Sequence, residues 1–78
     1  MGTIRVGEVR FHVWSDDHEP RHVHAEIGSG RVTLWLRADG AVVVGKIIGL
    51  NRNEVRKARA AAISAFDALT ALWEGIHG

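Results

Sequence analysis

Cysteine is absent from this 78-residue chain, which excludes disulfide staples, thiolate nucleophiles and Cys-ligated zinc together. Any metal site must therefore be built from histidines and carboxylates. No stretch approaches the roughly 20 apolar residues that a membrane span needs, and the opening MGTIRVGEVRF lacks the organisation of a signal peptide. From these absences we expect a soluble, cytoplasmic protein with no membrane partner. Internal repeats, low-complexity linkers, a glycine-rich phosphate loop, a nucleophile elbow and zinc-finger spacing are also missing, which removes the commonest enzyme classes. Only one segment reads as a convincing helix, so direct reading of DNA by a helix-turn-helix is not expected.

Length allows one core, and we expect a single domain over residues 1–78. A chain of this size buries only about 60% of its unfolded surface, so a partner, a metal or self-association is a natural source of extra stability. The net charge of +1 says little, but the charges are segregated. Between Ser15 and Ile27, Asp16, Asp17, Glu19 and Glu26 oppose only Arg21. Between Asn51 and Ser64, Arg52, Arg56, Lys57 and Arg59 oppose only Glu54. Both segments read equally as solvated faces that neutralise each other across the fold, or as a basic surface for nucleic acid or an acidic protein.

The first two thirds of the chain have the two-residue period of strands. In EVRFHVW, Val9, Phe11 and Val13 alternate with Arg10, His12 and Trp14. HVHAEI repeats the pattern, with Val23, Ala25 and Ile27 opposite His22, His24 and Glu26. Gly28 and Gly30 flank Ser29 in a short hairpin turn leading into RVTLWL, where Val32, Leu34 and Leu36 would face the core and Thr33 and Trp35 would not. ADG marks another turn, AVVVGKIIGL a further strand, and TIRV an edge element. The period then changes. Val55, Ala62, Phe66, Leu69, Trp73 and Ile76 share one helical stripe, and Asn51 with Glu54 makes a variant capping box. The spacing predicts strands over about 3–48 and one long C-terminal helix over about 52–75. The expected fold is α+β, an antiparallel meander of three to five strands packed against that helix.

The chemistry concentrates in SDDHEPRHVH, which holds three of the five histidines and the only proline. In a strand, His22 and His24 project from one face about 7 Å apart at Cα. A turn at Pro20 can return His18 toward them, and Asp17 or Asp16 can serve as a ligand or as the acceptor that orients an imidazole. Three histidines with an open fourth position would suit zinc or another divalent metal. The same groups without a metal would suit acid–base chemistry or phosphate contact near neutral pH. A purely structural reading also holds, since Pro20, Ser15, Asp16 and Asp17 all favour a turn for backbone reasons. His12 shares the polar face, whereas His77, near the fraying end of the helix, receives no role. Trp14 and Trp35 fall on the outward face, as a patch that a partner could bury. Trp73 reads as core. Arg52, Arg56, Lys57 and Arg59 crowd the positive end of the helix dipole, a conflict that a bound anion would relieve.

The run FHVWSDDHEPRHVHAEIG, followed by RVTLWL and LNRNEVRKARAAAISAFDALTALWEGIHG, resembles the small bacterial family known as domain of unknown function 4160. Its hallmark, Ser or Asn, an acidic residue, then His-x-Pro-x-His-x-His entering a strand, falls on Ser15, Asp17, His18, Pro20, His22 and His24. The helix end falls on Trp73 and Glu74. Arg21, where a proline is common, and the Ala-rich helix depart from the pattern. The resemblance implies a small component of a toxin–antitoxin-like module that binds a protein made from a neighbouring gene, or itself. If the chain is an enzyme, the expectation is a ribonuclease-type toxin, with His22, His24 and His18 as acid–base or phosphate-binding groups. Arg52, Arg56, Lys57 and Arg59, with Trp14 and Trp35, would then contact RNA or the partner. The alternative is a non-catalytic metal- or ligand-binding module using His18, His22, His24 and Asp17, or a plain interaction or regulatory subunit.

Overall fold

A computed structural model describes residues 2–78. It contains five strands, β1 Gly2–Val6, β2 Val9–Val13, β3 His22–Ile27, β4 Gly30–Leu36 and β5 Val42–Ile48, followed by helices α1 Arg52–Ser64 and α2 Phe66–His77. The strands form one sheet in the order β1-β2-β3-β4-β5, every neighbouring pair antiparallel. The meander therefore has five strands, the upper end of the expected three to five, and TIRV lies in an edge strand. Two-residue loops join β1 to β2 and β3 to β4, and in each the first loop residue is a glycine at positive φ, Gly7 at 59° and Gly28 at 58°. With a residue of ordinary φ in second place, this is the sign pattern of a II′ hairpin, which matches the twist of the flanking strands. No helix among the described residues is long and apolar enough to cross a membrane.

Strand alternation sorts the side chains as expected. Val9, Phe11 and Val13 of β2, Val23, Ala25 and Ile27 of β3, and Val32, Leu34 and Leu36 of β4 are buried against the helices. Ala58 and Ala62, one turn apart on α1, are wholly buried, and their small side chains let that helix settle close to β3, β4 and β5. Leu69 and Trp73 bury the corresponding face of α2 against β1, β2 and β3. The hydrophobic driving force resides here, each fully buried Phe, Leu or Val contributing about 1.5–3 kcal/mol before entropy is charged against it. The opposite face of the sheet carries Arg10, His12, Glu26, Arg31 and Thr33, with no helix over it.

The single long helix expected from the periodicity is two helices. At Ala65 the backbone turns to φ −104° and ψ 19°, and its N–H reaches both Ala61 O and Ile63 O. Helical bonding resumes at once, Leu69 N–H donating to Ala65 O at 2.9 Å. No proline or glycine marks this point; the cause is tertiary. Adjacent strands are rotated by roughly 20–25°, so an unbroken helix could not stay seated on both halves of a five-stranded sheet. A rod of 23 residues would also measure about 34 Å, against a longest molecular dimension of 32 Å. The bend lets α1 cover one half and α2 the other.

One further irregularity positions side chains outside the core. Between the pairs Val32↔Ile47 and Leu34↔Val44, β5 carries one more residue than β4, at Gly45–Lys46. Such a bulge re-aims the side chains that follow it, and here it sends Lys46 and Ile48 to the face that Val43 occupied before it. Gly45 is also required sterically, since a Cβ there would lie 2.6 Å from Trp35 Nε1 and 3.2 Å from Thr33 O.

Two stability measurements follow from these contacts. Asn51 and Glu54 exchange the reciprocal bonds of a capping box, at 2.8 and 2.9 Å. Asn51→Ala should cost about 1 kcal/mol, lowering the melting temperature by about 4–8 °C, and an unchanged melt by circular dichroism would rule out a role for the cap. Gly45→Ala should destabilise by about 1–3 kcal/mol through overpacking and shift tryptophan emission as Trp35 is displaced. An unaltered spectrum and melt would show that the ring has room to spare.

Candidate functional site

The loop between β2 and β3 is closed by its own polar groups. Asp17 N–H donates to Trp14 O at 3.1 Å, and Trp14 N–H donates to Asp17 Oδ2 at 2.9 Å. This exchange is a local turn of the kind aspartate favours, and it brings the other carboxylate oxygen back over the start of β3. The far end of the loop is pinned to β4, where Leu36 N–H donates to Arg21 O at 3.0 Å and Arg21 Nε donates to Leu36 O at 3.2 Å.

Asp17 Oδ1 lies 3.1 Å from His24 Nε2 and 3.6 Å from His22 Nε2. One ligand atom from each of Asp17, His22 and His24 falls within 4.8 Å of the others. Their side chains are largely withdrawn from water, at 12%, 10% and 25% exposure in that order. The His22 ring is held on several sides, with ring centres 4.9 Å from Trp35, 5.2 Å from Trp73 and 5.2 Å from His24. Trp14 packs edge-on against His24 at 5.0 Å. The other ring nitrogen of His22, Nδ1, is 2.9 Å from Pro20 O. A carbonyl can only accept, so Nδ1 carries a proton and Nε2 of the neutral ring presents a lone pair toward Asp17. A lone pair facing a carboxylate is unfavourable unless a proton or a cation lies between them. Backbone carbonyls orient metal-binding imidazoles in this same manner.

Burial by itself would raise the Asp17 carboxyl. The Trp14 N–H, the His24 hydrogen bond and the positive charge that His24 and His22 carry when protonated outweigh it, holding the group below its ordinary value of 3.8.

The expected site residues divide sharply. Asp17, His22 and His24 come together. His18 is exposed in the loop and lies outside the group, so the third ligand position falls to Asp17. His12 stands directly opposite His24 across the β2–β3 pair, but its Nε2 donates to Glu26 Oε1 at 3.1 Å and its Nδ1 accepts from Thr3 Oγ1 at 3.1 Å. Trp14 and Trp35 are half-buried walls of the histidine cluster, not a bare apolar patch. The basic residues of α1 serve elsewhere. Arg59 Nε donates to Val42 O at 2.9 Å, Lys57 pairs with Glu8 at 3.7 Å, and Arg56 donates to Asn53 at 3.1 Å, leaving Arg52 exposed without a side-chain partner among the described residues. His77, given no role from sequence, donates from Nε2 to Trp14 O at 3.0 Å, and its ring lies 4.0 Å from that of Trp73. No local signal could have shown this contact, which joins positions 63 residues apart.

Two clefts adjoin the cluster. A groove of about 310 Å³ lies beside Asp17 and His24, lined also by Trp14, Arg31, Thr33 and Lys46. A wider cleft of about 840 Å³ opens at the end of the sheet between Pro20, Trp35, Trp73 and His77.

The family described as Domain of unknown function (DUF4160) matches residues 8–74. The chain belongs to this family. The match runs from just before β2 to the last turn of α2, and so takes in Asp17, His22, His24 and Trp73, while β1 and His77 lie outside it. Neither the curated proteins nor the solved structures contain a match to this DUF4160 chain.

The lowered pKa of Asp17 has a pH consequence. Because the folded group ionises at lower pH than the unfolded one, its stabilisation is present in full above the ordinary value of 3.8 and is lost as pH falls through the lowered one. Asp17→Asn should therefore flatten the acid limb of stability below about pH 4. Denaturant melts from pH 2 to 7 on both proteins test this, and identical acid limbs would exclude the effect.

Proposed function

We propose that this chain is a metal-binding module in which Asp17 Oδ1, His22 Nε2 and His24 Nε2 hold a divalent cation and leave one position open. One observation carries the reading. The Pro20 carbonyl commits the proton of the neutral His22 ring to Nδ1, so Nε2 of that form points a lone pair at a carboxylate oxygen 3.6 Å away. A cation between them turns that opposition into two bonds. The spacing supports this, because ligand atoms around tetrahedral zinc stand about 3.4 Å apart, and the Asp17 oxygen is 3.1 and 3.6 Å from the two nitrogens. Two imidazoles and one carboxylate suit zinc among the common divalent ions. The aromatic rings packed on His22 and His24 supply a stiff, poorly hydrated wall, which restrains the ligands from rotating away.

The family resemblance adds a context. Within a toxin–antitoxin-like module, such a centre would make this the partner-binding component, its ion stabilising a small fold. The unpaired edge of β5, with Val43, Ile47 and Ile48 exposed, supports a protein partner better than it supports RNA. For a ribonuclease the basic helix would have to face the histidines, and Lys57 and Arg59 are already engaged with Glu8 and Val42 O.

Stoichiometric Zn²⁺ at neutral pH should raise the melting temperature. Free zinc at a hundredfold its Kd would contribute about 2.7 kcal/mol. His24→Ala and Asp17→Asn should abolish the rise, whereas His18→Ala should keep it. No shift in the wild-type protein would sink the reading, and a shift retained by His24→Ala and lost by His18→Ala would move the site.

A further inference from the structure

Ten Lys and Arg side chains occur in the chain, and most are already partnered. Arg5, Arg10, Arg21, Arg37, Arg56, Lys57 and Arg59 each reach a carbonyl, an amide oxygen or a carboxylate. Among the described residues, only Arg31, Lys46 and Arg52 have neither an ion pair nor a side-chain hydrogen bond. Two of these three, Arg31 and Lys46, line the same groove, the one that Asp17 and His24 border. They come from different strands. Arg31 is the second residue of β4, and Lys46 reaches that face only because the β5 bulge re-aims it. Thr33 lines the groove beside them.

We propose that this groove binds a phosphate dianion, free or as a monoester, with Arg31 and Lys46 holding its oxygens against the open position of the ion at Asp17, His22 and His24. The inference rests on the metal reading above. Charge favours a dianion. The two carboxylates of the groove, Asp16 and Asp17, offset Arg31 and Lys46, so the lining alone is neutral. A divalent ion leaves it with two uncompensated positive charges. A phosphate monoester carries about −1.5 to −2 near neutral pH, whereas each diester link of a nucleic acid carries one negative charge. Size agrees, since about 310 Å³ admits a phosphoryl group and a small substituent. Tracking a single strand instead takes a groove several nucleotides long. Arginine supplies paired donors and lysine a point charge, a combination that suits phosphate oxygens.

The test is calorimetric titration of phenyl phosphate, inorganic phosphate and the diester methyl phenyl phosphate into the full chain, with and without one equivalent of Zn²⁺. Phenyl phosphate or inorganic phosphate should bind the zinc-loaded protein at least tenfold more tightly than the metal-free protein, and at least fivefold more tightly than the diester does. Arg31→Ala and Lys46→Ala should each weaken that binding about tenfold while leaving the zinc-induced rise in melting temperature intact. The order of the two dianions assigns the ester or the free ion, and either order upholds the site. Equal binding with and without zinc, equal binding of the diester, or indifference to both substitutions would overturn the phosphate inference and leave the metal reading standing. Absence of any zinc-induced shift would overturn both.

Discussion

The two-residue period of β3 is the constraint on which both halves of the molecule depend. His22–Ile27 alternates without a break, so Val23, Ala25 and Ile27 enter the core beneath the helices while His22, His24 and Glu26 are held on the other face. A slip of one residue against β2 or β4 would bury the imidazoles and expose the core set. The apolar requirement on one face thus positions the polar groups on the other. The candidate site inherits its precision from hydrophobic burial and needs no separate scaffold.

The remaining geometry comes from what closes around that strand. The Trp14–Asp17 exchange returns a carboxylate to the imidazoles. Trp35 arrives from β4 directly opposite His22, with its ring accommodated by the missing side chain of Gly45. The bend at Ala65 brings α2 to the end of the sheet, where Trp73 packs on the His22 ring and His77 bonds to Trp14 O. A straight helix would have carried those residues past the edge. His22, at 8% exposure the only buried polar or charged side chain among the described residues, is therefore fixed by elements from both halves of the chain. Burying a polar group without partners is costly, and here Pro20 O satisfies one nitrogen while the other is left toward Asp17.

Much of the architecture was legible. Strict alternation in β2, β3 and β4 identified the core positions, the Gly-Ser-Gly turn identified a hairpin, and Asn51 with Glu54 identified the start of α1. The number of strands and the long helix were less secure. The apolar run that becomes β5 has no alternation to read, because the bulge at Gly45–Lys46 switches its parity midway. SAFD, at the helix junction, carries no break signal. The histidine motif was legible as a cluster of ligands, but it read as three histidines, with Asp17 only a further ligand or an orienting acceptor, whereas the structure groups Asp17 with His22 and His24 and leaves His18 out.

By itself, then, the sequence determined which side chains are apolar on a two-residue period, where the chain must turn, and that any metal ligands must be imidazole or carboxylate. These are properties of residue type and spacing, set within a few residues of the chain. Only the tertiary structure decided that Asp17 and not His18 joins His22 and His24, that Trp73 and His77 close on them from the far end of the chain, and that Arg31 and Lys46 share a groove. Each of those outcomes depends on strand register, sheet twist and a helix bend, where groups distant in sequence compete for one place. Periodicity carries no record of that competition.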